Sequence, residues 1–119
     1  NKITVTVSEE INLRSTIMVD SAHVGKTADI VVFATVTVPN AVEPVFYMVD
    51  DKNHIQPWDK DRNRLVPFTK NVTLDKVQDL KLYTGRVSTP GILRVFFGYR
   101  LPDGTLVSNK QPIEFTVVK

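Results

Sequence analysis

Apolar and polar residues alternate along much of the chain, and turn-forming residues interrupt the alternation at short intervals. Residues 3–7 alternate strictly with period two, which predicts a half-buried strand. Residues 27–38 form the most hydrophobic segment, and their β-branched side chains favour a central strand over a helix. Residues 91–100 and 106–118 flank a Pro-Asp-Gly turn at 102–104, which is the pattern of a β-hairpin.

The remaining apolar segments are shorter and less regular. Residues 76–83 fit either a strand or a single helical turn, and we interpret them as a strand. Residues 54–58 predict a short return strand, whose Pro57 belongs at a sheet edge because it donates no ladder hydrogen bond. Further strands are predicted at 11–19, 45–49 and 71–74. Seven or eight short strands at intervals of roughly 8–12 residues indicate a β-sandwich, which we expect to form one domain over residues 1–119.

Alternation along each predicted strand also defines an expected core. A shift of one residue in any strand would move its apolar set to the other face of the sheet. The predicted core consists of Val5, Ile30, Val32, Ala34, Val36, Phe46, Met48, Leu74, Leu82, Leu93, Val95, Phe97, Phe115 and Val117.

Composition narrows the function classes. The chain has 119 residues, of which 42% are hydrophobic and 24% charged, as in ordinary globular proteins. Its 15 basic and 13 acidic residues are scattered singly, so we expect no nucleic-acid partner. The absence of cysteine excludes disulfides, thiolate catalysis and cysteine-ligated metals. The longest apolar run, residues 30–34, is far too short for a membrane span. Because the sequence begins with Asn1, we expect a processed mature protein or a piece of a longer one.

One loop offers a candidate calcium site. Asp59, Asp61 and Asn63 give the D-x-D-x-N opening of a calcium-binding loop. An EF-hand would continue with Gly at the sixth position and Glu at the twelfth, where this chain has two cationic residues, so an EF-hand is excluded. A looser site shared with residues 50–53 stays open. Since neighbouring cations oppose a dication, we expect a solvated loop and no metal.

Catalytic patterns are weak. His23 and His54 are the only histidines, and without cysteine a zinc site would need both of them together with carboxylates. Ser21-Ala22-His23 places a hydroxyl and an imidazole in one turn, but nothing resembles a nucleophile elbow. We therefore predict a protein that is not an enzyme and uses no cofactor.

The single tryptophan is a candidate ligand contact. Trp58 lies beside the predicted edge strand, and it could form an aromatic platform for a sugar with Phe68, Tyr47 and Tyr83. This arrangement would make the chain a carbohydrate-binding module. The alternative, which we favour, is a tryptophan that caps one end of the core.

The N-terminal segment suggests a second kind of partner. Residues 1–7 are short, alternating and free of proline, so they either complete their own sheet or are donated to a neighbouring subunit. In a donated strand, Ile3, Val5 and Val7 would fill pockets of the neighbour. The chain would then be a self-assembling fibre or pilus subunit, although we favour self-completion.

Three segments resemble a known class of module. Gly25-Lys26-Thr27-Ala28-Asp29, ahead of an apolar strand, resembles the start of the second strand of immunoglobulin-like and fibronectin type III-like modules in bacterial surface and secreted proteins. Residues 91–99, followed by Asp103-Gly104-Thr105, are similar to their last two strands, and residues 45–50 take the place of their third strand.

The resemblance implies a sandwich of about seven antiparallel strands. It also implies a non-catalytic structural or adhesive role at the cell surface or outside the cell, with neighbouring domains or subunits of the same protein as partners. Two departures count against the antibody class but not against the sandwich: the inter-sheet cysteine pair is missing, and Trp58 does not fall in the third strand.

Overall fold

A computed structural model describes residues 2–87, 90–109 and 111–119, which form ten strands and one 3-10 turn, Arg62–Arg64. No α-helix occurs among these residues. The strands are β1 (Lys2–Thr6), β2 (Ile11–Met18), β3 (Thr27–Thr37), β4 (Val45–Val49), β5 (Ile55–Pro57), β6 (Thr69–Thr73), β7 (Val77–Gly85), β8 (Gly91–Arg100), β9 (Leu106–Ser108) and β10 (Ile113–Val118).

Eight strands form one mixed sheet and two form a second sheet. The order of the large sheet is β1-β10-β8-β3-β4-β5, with β6 paired to β3 and β9 paired to β8, while β2 and β7 form the small sheet. The predicted all-β class is confirmed, and two sheets are consistent with a sandwich. The prediction of about seven antiparallel strands is wrong in detail, because β1 runs parallel to β10. These strands come from opposite ends of the chain, so no hairpin forces them to be antiparallel.

β3 is the central strand, as its β-branched sequence predicts. One of its edges pairs with β8 from Asp29 to Thr37. Along the other edge β6 and β4 lie one after the other, opposite residues 27–30 and 32–36. β3 is therefore paired on both sides along most of its length.

The predicted C-terminal hairpin is present, with one interruption. Gly104 has the positive φ of 92° that the Pro-Asp-Gly turn requires. β9 and β10 both pair with β8. Between them, Asn109 continues the pairing: its N–H donates to the carbonyl of Phe97 at 3.0 Å, and its Oδ1 accepts from the N–H of Phe97 at 2.8 Å.

The main core lies between the two sheets, and most of the predicted core residues are buried. The exceptions are Val5, Val36, Phe46 and Leu93, which are half-buried. β2 contributes buried side chains on alternate positions, notably Ile11, Leu13 and Ile17, which are absent from the predicted core.

β4 has the predicted bounds, but its inward-facing residues are displaced by one position relative to the prediction. Val49 pairs with Val32 and faces the main core, whereas Met48 pairs with Phe33 on the outer face of the large sheet. The assignment of Phe46 and Met48 to the main core is therefore wrong, although Met48 is buried. Every residue of β4 is apolar or aromatic, so alternation alone did not select a face.

Candidate binding surfaces

The N-terminal strand completes the sheet of its own chain. Ile3 pairs with Phe115 and Val5 with Val117, and the N–H of Val7 donates to the carbonyl of Val118 at 2.8 Å. Val5 packs against the main core. Ile3 remains 43% exposed at the edge of the large sheet. Donation of this strand to a neighbouring subunit stays a prediction.

Trp58 lies on the outer face of the large sheet, half-buried among phenylalanines. Its ring centroid is 5.1 Å from Phe33 and 6.2 Å from Phe46, and Phe33 stacks on Phe96 at 5.2 Å. The indole N–H donates to the main-chain carbonyl of Asp61 at 2.9 Å. The polar group of the tryptophan thus holds the loop that follows β5, and contact with a ligand stays a prediction.

The aromatic side chains around Trp58 are Phe33 and Phe46, which are not the ones predicted to form a platform with it. Tyr47 and Tyr83 line a cavity on the inner side of the large sheet, and Phe68 packs against the main core. These three side chains lie on the side of the sheet opposite Trp58, so the predicted grouping is wrong. For Tyr47 the physical cause is the one-residue displacement of β4, which directs this side chain inward.

A second hydrophobic cluster fixes the loop after β5 to the outer face. It is built on Val31, Met48 and Leu65, which are buried, and the side chains of Phe33, Trp58, Val66 and Leu106 pack against it. Leu65 is only 1% exposed. This leucine directly follows the charged residues 59–64, for which the sequence predicts a solvated loop. The loop is instead anchored to the outer face by Leu65, the first residue after the charged segment.

The calcium candidates cap the 3-10 turn of this loop. Asp59 Oδ1 accepts from the N–H of Asp61 at 3.0 Å, and Asp61 Oδ1 accepts from the N–H of Asn63 at 2.9 Å. The guanidinium of Arg64 lies 3.4 Å from a carboxylate oxygen of Asp59 and 3.8 Å from one of Asp61. In the part of the chain that the structure describes, no three His, Cys, Asp or Glu side chains are grouped to hold a metal ion. Calcium binding stays a prediction.

The histidines have separate structural partners. His23 Nδ1 lies 2.7 Å from the hydroxyl of Tyr99, a fully buried side chain, and the two rings meet edge to face. His54 Nδ1 is 3.9 Å from a carboxylate oxygen of Asp50. Hydrogen bonding therefore links His23 to a core tyrosine and not to Ser21, within the described residues.

Asp50 organises the β4–β5 turn. Its carboxylate accepts from the N–H groups of Lys52 and His54 and from the side-chain amide of Gln56. The hydrogen bond from the N–H of His54 is the main reason that the pKa of Asp50 lies below its usual range. In the same turn, Asn53 Nδ2 donates to the carbonyl of Thr84 at 2.8 Å, which ties this edge of the large sheet to β7.

An apolar cavity of about 260 Å³ opens between the sheets beside β4 and β5. It arises because the small sheet has two strands and leaves part of the larger inner face uncovered. Val45 and Ile55, each 49% exposed, lie among its lining residues. The residues that line the cavity are Ile11, Leu13, Val32, Ala34, Val36, Val38, Val45, Tyr47, Val49, Ile55, Tyr83, Arg86, Val87, Leu93, Val95 and Phe115.

The alternation of the sequence does not predict this cavity, and a bulge between β2 and β7 is part of the reason. The register between β2 and β7 shifts between Leu13 and Arg14, which leaves Leu82 without a directly paired residue. Leu82 and Tyr83 consequently both contact the main core although they are adjacent in sequence. Regular alternation would place only one of them there.

Comparison of the chain with protein-family models, curated proteins and solved structures finds no match. Among the described residues there is no helix with the length and apolarity needed to cross a bilayer.

Proposed function

We propose that this chain is a non-catalytic structural and adhesive module of an extracellular bacterial protein, joined in series to neighbouring modules of the same protein. The observation that carries this proposal is the parallel pairing of β1 with β10. Lys2 lies opposite Glu114 and Thr6 opposite Val118, so the chain enters the sheet at one end and leaves it at the other.

Opposite ends are what a spacer requires. Five paired residues separate the points of entry and exit by about 15 Å along the strands. Modules connected through such ends extend in a line, whereas ends on the same side would fold neighbours back on each other. The parallel pairing of a first strand with the last also supports the immunoglobulin-like type that the sequence resembles.

A tandem repeat of the whole chain tests this proposal. The described residues have principal extents of 44 × 25 × 25 Å. Small-angle X-ray scattering of two copies in series should give a maximum dimension clearly greater than that of two copies packed side by side, because the second copy starts at the end of the sheet opposite to the entry of the first. A tandem protein as compact as two copies packed side by side, with both copies folded by circular dichroism, would contradict the serial arrangement.

Self-assembly through β1 is the second candidate function. The feature that favours it is the peripheral position of β1, which pairs with β10 only. The β10 strand of a second copy offers the same partners, so exchange would reproduce the native register. In a self-assembling chain, light scattering should detect oligomers that disappear when residues 1–8 are deleted, and a peptide of residues 1–8 should bind the shortened chain. A peptide with serine at positions 3, 5 and 7 is the control, and monomers at every concentration would exclude this function.

A further inference from the structure

The cavity between the sheets has the size of a small-molecule site. Its volume of about 260 Å³ exceeds the roughly 150 Å³ of an engineered apolar cavity that binds benzene. By proportion it accommodates about ten carbon atoms. The strands that surround it place aliphatic side chains such as Ala34, Val36 and Leu93 on its walls. Such a surface favours a hydrocarbon over ordered water.

Three lining side chains have polar ends. Tyr47 and Tyr83 supply hydroxyls, and Arg86 supplies a guanidinium that is exposed to solvent. Arg86 Nε donates to the carbonyl of Ser8 at 3.0 Å, which holds the side chain in place and leaves its terminal nitrogens for other acceptors. No carboxylate of the described residues lies within ion-pair distance of Arg86.

We propose that this cavity binds a single-chain hydrocarbon with one carboxylate group. The tail lies between the sheets, and the carboxylate is paired with Arg86 and accepts hydrogen bonds from the tyrosine hydroxyls. Apolar walls and one cation without an acidic partner complement this class of molecule, because a guanidinium binds a carboxylate through two parallel hydrogen bonds. This binding activity is separate from the proposed role as a spacer.

Decanoate is the probe that this geometry selects, and decanol is its uncharged match. Both are titrated below the concentration at which decanoate forms micelles, using calorimetry and nuclear magnetic resonance. Saturable binding of one decanoate should shift the ring signals of Tyr47 and Tyr83. The indole signal of Trp58 should stay unchanged, because that side chain lies on the outer face of the sheet. Decanol should bind about tenfold more weakly, since it lacks the charge-assisted bonds.

Substitutions at Arg86 and Val36 test separately how the carboxylate group and the hydrocarbon tail of the ligand are bound, and a substitution at Arg14 is the control. Arg86→Gln should weaken decanoate about tenfold and leave decanol unchanged. Arg14→Gln removes an equal charge from an exposed position outside the cavity and should change neither affinity. Val36→Phe fills part of the cavity and should weaken both probes, and thermal unfolding identifies any variant that has lost its fold.

Each result decides the proposal. Lack of saturable decanoate binding to the native chain would overturn it, as would binding that Val36→Phe leaves intact while the variant is folded. Equal affinities for decanoate and decanol, unchanged by Arg86→Gln, would overturn the assignment of a carboxylate. The scattering test of the spacer uses no ligand, so either proposal can fail without the other.

Discussion

Truncation of Leu65 to alanine tests the anchored loop on the outer face. Leu65 is 1% exposed and packs with Val31 and Met48 in the second cluster. The substitution removes three carbon atoms from this site, which costs about 2.4 kcal/mol of transfer free energy at about 0.8 kcal/mol for each carbon. The cavity left behind adds to this loss, so we expect a total destabilisation of about 3 kcal/mol.

That magnitude converts to a large thermal shift. At about 2.1 cal/mol/K per residue, a chain of 119 residues has an unfolding entropy near 0.25 kcal/mol/K. A loss of about 3 kcal/mol then lowers the Tm by about 12 °C. Differential scanning calorimetry and urea unfolding followed by circular dichroism give independent values.

The matched control is Val42→Ala. Val42 is 99% exposed, so the same kind of truncation should change stability by less than about 0.5 kcal/mol. The fluorescence of Trp58 should respond to Leu65→Ala and not to the control, because Trp58 packs against the same cluster as Leu65. If Leu65→Ala lowers the free energy of unfolding by less than about 1 kcal/mol, Leu65 is not packed as described, and residues 59–65 form a solvated loop as the sequence predicts.

Three further predictions concern stability. Gly98→Ala should cost more than about 2 kcal/mol in urea unfolding, because its Cβ would overlap the carbonyl oxygen of Val107. Tyr99→Phe should cost about 1 to 2 kcal/mol, since it removes the buried hydroxyl that bonds to His23. The lowered pKa of Asp50 predicts stability that is complete above the unfolded pKa of about 3.9 and is lost as pH falls through the folded pKa. Acid unfolding of Asp50→Asn should show a shallower dependence on pH in that range.

The first of these predictions has a control variant, and each of the three has a result that would contradict it. Gly25→Ala, at a φ of 86° with no atom within 4 Å of its Cβ, measures conformational strain alone, about 1 kcal/mol. A Gly98→Ala variant that loses no more than this would contradict the close backbone contact. For Tyr99→Phe, native stability would mean that the hydroxyl adds nothing. For Asp50→Asn, an acid unfolding curve identical to that of the native chain would exclude a contribution from this carboxylate.

The sequence predicts where the strands lie along the chain better than it predicts which strands pair with each other. β3 and the hairpin around residues 102–104 are evident because β-branched runs and turn residues are local properties. The pairing of β1 with β10 joins opposite ends of the chain, and no local pattern specifies it. Likewise, the placement of β4 and β6 along one edge of β3 depends on the whole topology.

The candidate sites were harder to predict, for specific physical reasons. Leu65 follows a run of charges, and its burial depends on Val31 of β3 and on Met48 of β4. The predicted alternation places Met48 in the main core, so no apolar partner for Leu65 is expected from β4. Tyr83 reaches the cavity because of a bulge in β7. The cavity itself exists because eight strands face two, and that ratio is a property of the assembled sheets.

Pro57 limits the main-chain hydrogen bonds that the β5 edge of the large sheet can offer to a strand of another protein. The N–H of Asp50 donates to the carbonyl of His54, and the N–H of Trp58 donates to the carbonyl of Phe46, so residues 55 and 57 direct their main-chain groups away from β4. Proline has no N–H, which leaves Ile55 as the single outward donor within β5. An incoming strand finds almost no template there, and this edge resists the uncontrolled aggregation to which open sheets are prone.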